Sequence, residues 1–334
     1  MMTYLLSALC AFVIVWLLGP LVIPVLRRMK FGQIERELGP QSHKKKQGTP
    51  TMGGIMMLIA IIAASLIFGL ESVEFLLPTL LVTAAFGVIG FLDDFIKIKM
   101  KRNLGLRAYQ KIIAQFAIAI IVAVWAYKSP LIGPVLYLPI SGGSWNIGPY
   151  YIPLVVFMMI AEVNAVNLTD GLDGLATSVT LVYAMAMTAI FALVASAARQ
   201  GGQTLLGVNL SGMGLFSAAL VGACLGFLRY NAWPARVFMG DTGALALGGA
   251  VSMMAIMSRS IILLPVMGFC FLGSALSVIL QVASNKLNHG KRMFKMAPIH
   301  HHFELKGHPE ARIVTMYTIL TAVLCGVCLL SYLR

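Results

Sequence analysis

Acidic residues are scarce in this sequence: 12 among 334, of which only five are aspartates. Charged residues of both signs reach just 11%, too few to clothe a soluble domain of this size. Cysteine is equally sparse. Cys10, Cys224 and Cys270 stand alone in apolar stretches, and Cys325-Gly-Val-Cys328, although it has redox spacing, lies inside another such stretch. The expected role of each is that of a small buried residue. No self-similarity at a period of roughly 20 to 50 residues is visible, which excludes a solenoid. An inverted repeat of the kind many transporters show is also missing. The strict polar/apolar alternation of a membrane β-barrel does not occur.

What the chain has in abundance is hydrocarbon: 59% apolar residues and a mean hydropathy of +0.88. These values identify an integral membrane protein. A helix needs roughly 20 residues to cross the hydrocarbon core. Ten stretches reach or approach that length: Thr3–Leu26, Met52–Leu70, Phe75–Ile96, Ile112–Tyr127, Tyr151–Val166, Ala176–Ala198, Met213–Leu228, Thr242–Met257, Ile261–Val282 and Ile313–Leu333. Backbone in lipid must satisfy its own hydrogen bonds, so continuous apolar runs imply helices. The expected fold is an all-α bundle of about ten transmembrane helices, forming a single polytopic domain over residues 1–334. The first stretch lacks a basic leader and ends in Arg27-Arg28, so it reads as a retained helix rather than a cleaved signal.

Cytoplasmic loops collect Lys and Arg, and here alternate loops differ sharply. One side holds 21 of the 25 basic residues, leaving Lys128, Arg199, Arg259 and Arg334 for the other. Both termini are therefore expected outside, and all five aspartates inside with His43, Asn231 and the run His300-His301-His302. The Gly/Pro-rich segment Ser129 to Tyr150 predicts a small periplasmic hairpin. Leu287 to Glu310, which mixes Met293, Phe294 and Met296 with Lys291, Arg292 and Lys295, suits a cytoplasmic interfacial segment. The formal charge of +13 thus forms an inward-facing skin that attracts anionic lipids and anionic soluble ligands. Nucleic acid is not an expected partner, because the basic residues are split among short loops between spans.

The five aspartates, Asp93, Asp94, Asp170, Asp173 and Asp241, each lie where a long apolar segment ends. Carboxylates near hydrocarbon are costly, so their clustering points to cation or proton handling. Asp93 and Asp94 precede Lys97 by about one helical turn. Adjacent residues do not share a helix face, so one is expected to act as base or metal ligand while the other pairs with Lys97. In Asn167-Leu-Thr-Asp-Gly-Leu-Asp-Gly174, Asn167, Asp170 and Asp173 recur at three-residue spacing, with glycines that permit turning and close approach. Calcium-loop spacing is not matched. Asp241 follows Phe238-Met-Gly at a helix entry and is the leading ligand for a hard cation such as Mg²⁺, which takes oxygen ligands and often retains waters and phosphate. The histidine run beside Glu304 lacks zinc-ligand spacing, which leaves acid/base chemistry or phosphate contact.

These motifs, together with Gly48-Thr-Pro-Thr-Met-Gly-Gly54 and Ala297-Pro-Ile-His-His-His302, resemble the phospho-N-acetylmuramoyl-pentapeptide transferase (MraY) family across essentially the whole chain. That family lies within the polyprenyl-phosphate N-acetylhexosamine-1-phosphate transferases. The resemblance implies transfer of phospho-MurNAc-pentapeptide from UDP-MurNAc-pentapeptide to undecaprenyl phosphate at the cytoplasmic face of a bacterial cell membrane, for cell-wall synthesis. It further implies Mg²⁺ on Asp241, helped by Asn167, activation of the lipid phosphate by Asp93 or Asp94, and charge balance from Lys97 and Lys111. By the same resemblance, Lys46, Thr51, Asp170, Asp173, Asn231, Phe238, Gln281, His300 and His301 line the nucleotide-sugar site, with Phe238 as a stacking surface and His300 among the catalytic group. Direct attack by the lipid phosphate is the expected route. Two departures are visible, Ala244 where relatives often have Ser and Ser274 where many carry Glu. The sequence leaves a homodimer open. The rival readings are a related UDP-N-acetylhexosamine transferase, a cation-coupled transporter and a structural assembly protein; the transporter would place its acids near the midplane.

Overall fold

The computed structural model describes residues 1–29, 48–100, 105–138, 143–287 and 292–333. Helices dominate: α1 (Met2–Arg28), α2 (Gly54–Gly69), α3 (Val73–Lys99), α4 (Ala108–Lys128), α5 (Tyr151–Thr169), α6 (Leu175–Gln200), α7 (Thr204–Asn231), α8 (Gly240–Met257), α9 (Phe269–Leu287), the short α10 (Ile299–Glu304) and α11 (Glu310–Leu330). The strands β1 (Val135–Leu138) and β2 (Gly143–Asn146) pair antiparallel between α4 and α5, with Leu136 opposite Trp145. They form the hairpin expected from the sequence.

Among the described residues, nine helical segments are long and apolar enough to cross a membrane, and one of them, Gly54–Lys99, runs for 46 residues. That is more than twice the roughly 20 residues of one crossing. A 3₁₀ turn at Leu70–Ser72 divides it into α2 and α3. The far ends of both halves return to the same place: a methyl group on Gly54 would lie 2.2 Å from Gly243 Cα, and one on Gly90 would lie 2.1 Å from the Asp241 carbonyl oxygen. The chain therefore doubles back at the turn, and the two halves correspond to the second and third expected stretches.

Two expected boundaries need correction. The stretch Ile261–Val282 is not one helix. A short helical piece, Ile261–Met267, ends at Gly268, and α9 starts afresh at Phe269; Pro265 has no N–H with which to continue a helix from above, and Gly is a weak helix former. The seventh helix begins at Thr204 rather than Met213. Asn209 halts an apolar count, but in the fold its side chain accepts a hydrogen bond from the Phe75 N–H (3.2 Å) and donates to the Leu205 carbonyl (3.0 Å). A polar group satisfied in this way costs little inside the bundle.

Helices α7 and α8 form the centre. Every residue of α8 from Thr242 to Met257 is buried. Helices α1 and α6 pack on α7, while α3 and α5 pack on α8. In α1, Pro20 has no N–H for the Trp16 carbonyl, and the Tyr230 hydroxyl of α7 donates to that orphan at 2.8 Å. The hairpin is tied to the C-terminal end of α8: the Tyr137 N–H donates to the Arg259 carbonyl (2.9 Å), and the Arg259 guanidinium donates to the Leu131 carbonyl (2.7 Å). The N-terminal end of α8, with Asp241, is at the opposite end of the bundle.

Candidate active site

Four helix ends converge on Asp241: the C-terminal ends of α3 and α5 and the N-terminal ends of α4 and α8. Asp241 Oδ2 accepts hydrogen bonds from Lys97 Nζ (2.9 Å) and Lys111 Nζ (3.0 Å), and Oδ1 accepts from Asn167 Nδ2 (2.7 Å). Asp93 and Asp94, both buried, complete the cluster. One oxygen from each of Asp93, Asp94 and Asp241 lies within 4.8 Å of the others.

The neighbouring acids have different partners, as their positions on a helix require. Asp93 Oδ2 pairs with Lys97 Nζ at 2.5 Å, and its Oδ1 accepts the Leu106 N–H at 2.9 Å. Asp94 turns to the start of α8. Its Oδ1 accepts the Asp241 N–H (3.2 Å), while Oδ2 accepts both the Thr242 N–H (2.9 Å) and the Thr242 hydroxyl (2.8 Å). Room for this contact comes from Gly240, whose φ of +69° suits a residue without Cβ. A methyl there would lie 2.5 Å from Asp94 Oδ2 and 2.7 Å from Thr51 Oγ1.

A wall of loops surrounds this corner. The segment 50–54 is laced to 238–239: the Phe238 N–H donates to the Pro50 carbonyl (2.8 Å), the Gly53 N–H to the Phe238 carbonyl (2.8 Å) and the Gly54 N–H to the Met239 carbonyl (3.0 Å). Thr51 and Phe238 are thereby fixed beside Asp241, both half-buried. Asn231 accepts from the Thr177 hydroxyl (3.0 Å) and donates to the Val237 carbonyl (3.0 Å), and Asp173 Oδ2 accepts the Ala235 N–H (2.9 Å). These two expected ligand contacts therefore brace the connection from α7 to α8. Gln281 also acts as a brace, donating to the Phe294 carbonyl (3.1 Å) and accepting the Phe294 N–H (2.8 Å). Ser277, one turn earlier on α9, accepts the Ile299 N–H at 2.9 Å. The histidine helix α10 is thus suspended from α9.

His300 and His301 pack edge-on, ring centroids 4.3 Å apart, over the aspartate-rich turn. A methyl on Gly171 would lie 2.4 Å from His300 Nε2. His301 Nδ1 sits 3.1 Å from Glu304 Oε2, whereas His302 Nδ1 accepts the Lys295 N–H at 3.1 Å. Burial, then the charges of Lys306 and Lys295, holds the His302 imidazole below its ordinary value. Asp170 is half-buried in the same turn. Burial chiefly, then the negative charges of Asp241, Asp94 and Asp173, holds its carboxyl well above the usual range. Lys46 lies outside the described residues.

The donor set suits a hard divalent cation: three carboxylates with oxygens within 4.8 Å of one another and the Asn167 amide beside them, without sulfur. Formally, three carboxylates face two ammonium groups, so the corner retains one negative charge for a cation to offset. Sequence reasoning missed Thr242, Leu106 and Gln115. The Gln115 side chain accepts from Asn164 Nδ2 at 2.7 Å, joining α4 to α5 one turn from Lys111 and Asn167. Glu162, buried on α5 with an Oε1 that makes no hydrogen bond, was missed as well. A single acid inside an apolar window leaves little trace in hydropathy.

Residues 76–259 match the family model described as glycosyl transferase family 4. A phospho-N-acetylmuramoyl-pentapeptide-transferase of Clostridioides difficile (strain 630) is 49% identical over 97% of this chain and 96% of its own length. The protein of the same description from Clostridium novyi (strain NT) is 47% identical over 98% and 96%. That from Desulfitobacterium hafniense (strain DSM 10664 / DCB-2) is 47% identical over 96% and 95%.

Proposed function

Since the chain belongs to glycosyl transferase family 4 and, within it, to the phospho-N-acetylmuramoyl-pentapeptide-transferases, we propose that it transfers phospho-MurNAc-pentapeptide from UDP-MurNAc-pentapeptide to undecaprenyl phosphate. A lipid-phosphate oxygen bonds to the sugar-bearing phosphorus, the pyrophosphate P–O bond breaks, and UMP leaves with the electron pair. The products are lipid I and UMP. Such a reaction requires a water-soluble nucleotide and a membrane lipid to meet at one interface, and the polar corner at one end of an apolar bundle meets that need.

The observation that carries this reading is the Asp241 carboxylate gripped by Lys97, Lys111 and Asn167 from three other helices. Phosphoryl transfer depends mainly on alignment and on compensating charge that develops on oxygens. Asp241, with Asn167 beside it, would hold Mg²⁺, which when bound would supply positive charge to offset the pyrophosphate oxygens. Lys97 and Lys111 lie within one ammonium's reach of the same region and compensate charge on the attacking and leaving phosphates. Asp93, adjoining Lys97, orients the lipid phosphate and takes its proton if it arrives protonated. On the wall, Phe238, Thr51, Asp170, His300 and His301 contact the nucleotide-sugar, while Asp173, Asn231 and Gln281 keep its loops in place; by the family resemblance Lys46 joins the nucleotide-sugar contacts.

The muramoyl-pentapeptide donor is larger than a hexosamine nucleotide and carries free carboxylates. Lys295 and Lys306 near the histidine helix provide a cationic surface for it. Purified protein supplied with undecaprenyl phosphate, Mg²⁺ and UDP-MurNAc-pentapeptide should release UMP, with little release from UDP-N-acetylglucosamine. Equal kcat/KM for the two donors would overturn the choice of donor, and no UMP from either would overturn the transferase reading.

The protein is a multi-pass membrane protein, and the basic-residue asymmetry supports a location in the bacterial cytoplasmic membrane with the corner facing the cytoplasm. Gln203, exposed between α6 and α7, and Lys306, exposed between α10 and α11, report the two sides. Gln203→Cys should be labelled only from outside and Lys306→Cys only from inside; labelling of both from one face would contradict the topology.

A further inference from the structure

Helix α8 begins without a capping side chain of its own, since Met239 precedes it. The first turn of a helix leaves N–H groups without intrahelical partners and carries partial positive charge. Here the missing acceptor comes from a different helix. Asp94, on α3, receives the N–H groups of Asp241 and Thr242 and the Thr242 hydroxyl, three donors on two oxygens at 2.8 to 3.2 Å. Its nearest ammonium, Lys97 Nζ, lies 3.9 Å away, against 2.5 Å from that ammonium to Asp93. The close approach of the two backbones is built in: Gly90 abuts the Asp241 carbonyl one turn before Asp94, and Gly240 opens the space that the carboxylate enters.

We propose that Asp94 is a positioning residue and not a second acid of the reaction: by capping α8 from α3 it fixes the backbone at Asp241, and through it the direction of the Asp241 carboxylate. The proposal rests on the transferase reading and assigns the two neighbouring acids separate tasks. Asp93 faces the reacting phosphates. Asp94 faces a helix end, and its effect on rate passes through Asp241.

The chemistry of the cap sets the expected pattern. Asn at 94 keeps one acceptor and loses the other, whereas Ala loses both. Relative to the active wild type, kcat should fall about tenfold in Asp94→Asn and about a hundredfold in Asp94→Ala, the range of a helix cap weakened and then removed from beneath an electrostatic contact. Thr242→Val, which deletes one donor at equal size, should lower kcat by about threefold, and Thr242→Ser should restore it. In Asp241→Asn protein, adding Asp94→Asn should cost little more, because the residue through which Asp94 acts is already disabled. An independent readout is amide hydrogen exchange: the peptide spanning residues 239–245 should exchange faster in Asp94→Asn, with the middle of α8 unchanged. Two results would overturn the proposal. One is Asp94→Asn as inactive as Asp93→Asn with unaltered exchange at 239–245. The other, which needs no Asp94 variant to fold, is Thr242→Val with wild-type turnover and exchange. A wild-type protein that releases no UMP would instead count against the transferase reading, and the exchange result would still test the cap.

Discussion

The carboxylate corner and the loop wall around it use polar side chains in opposite ways. In the corner, charged groups from four helices bond chiefly to one another: Asp241 to Lys97, Lys111 and Asn167, and Asp93 to Lys97. In the wall, polar side chains bond chiefly to backbone. Asn231 holds Val237, Asp173 holds Ala235, Gln281 holds Phe294 and Ser277 holds Ile299. Side chain to side chain contacts fix the charges at separations a phosphate or a cation can exploit. Side chain to backbone contacts fix the path of a loop. The difference predicts that corner substitutions act on the chemical step and wall substitutions on binding.

The sharpest contrast should come from Lys111. Lys111→Met keeps the length of the side chain but removes one of two ammonium groups at Asp241 Oδ2, and kcat should fall on the order of a hundredfold. Steady-state UMP release checks this, and a change confined to KM would erase the distinction between corner and wall. Gln281→Ala frees Phe294 and with it the segment that carries α10. The expected outcome is a several-fold rise in KM for the nucleotide-sugar with kcat within about twofold, since ground-state and transition-state contacts from the loop weaken together. A fall in kcat alone would move Gln281 into the corner. Smallest is an effect outside both regions. Tyr230→Phe strands the Trp16 carbonyl that Pro20 leaves open, and should lower stability by about 1 kcal/mol, seen as a lower unfolding midpoint in detergent with turnover unchanged. An unchanged midpoint would show that another group satisfies that carbonyl.

Much of the bundle was legible because apolar run length and loop composition follow directly from the bilayer. The ten stretches, the hairpin around Tyr137 and Ser144, and the gathering of Asp93, Asp94, Asn167 and Asp241 at one end all follow from those signals. The break at Gly268 was hidden, since hydropathy sums are blind to a helix that stops and restarts inside protein. The early start of α7 was hidden by Asn209, whose polarity is cancelled by a partner 134 positions away. At the site, residue types told which side chains belong to the polar end but not which pairs form. Lys97 is within reach of both acids along α3, but which of them turns to the start of α8 depends on how α3 is rotated against α8, where Gly90 packs closely on the Asp241 carbonyl. Asn231 and Gln281 read as ligand contacts because their type and neighbourhood suit a ligand; their bonds to the Val237 and Phe294 backbone depend on the fold and left no sign in the sequence. Thr242 could have been suspected from its place beside an acid at a helix entry; its partner could not.

The central claim is that Asp241 is the electrostatic centre of the reaction, and its most direct test is a Mg²⁺ titration of UMP release by wild type and Asp241→Asn, with undecaprenyl phosphate and UDP-MurNAc-pentapeptide at saturation. Wild type should depend on Mg²⁺ and saturate. Asp241→Asn should remain folded, as judged by its unfolding midpoint in detergent, and be slower by a hundredfold or more at every Mg²⁺ concentration, a loss on the order of 3 kcal/mol of transition-state stabilisation. Near-normal turnover with an unchanged Mg²⁺ requirement in Asp241→Asn would contradict the account.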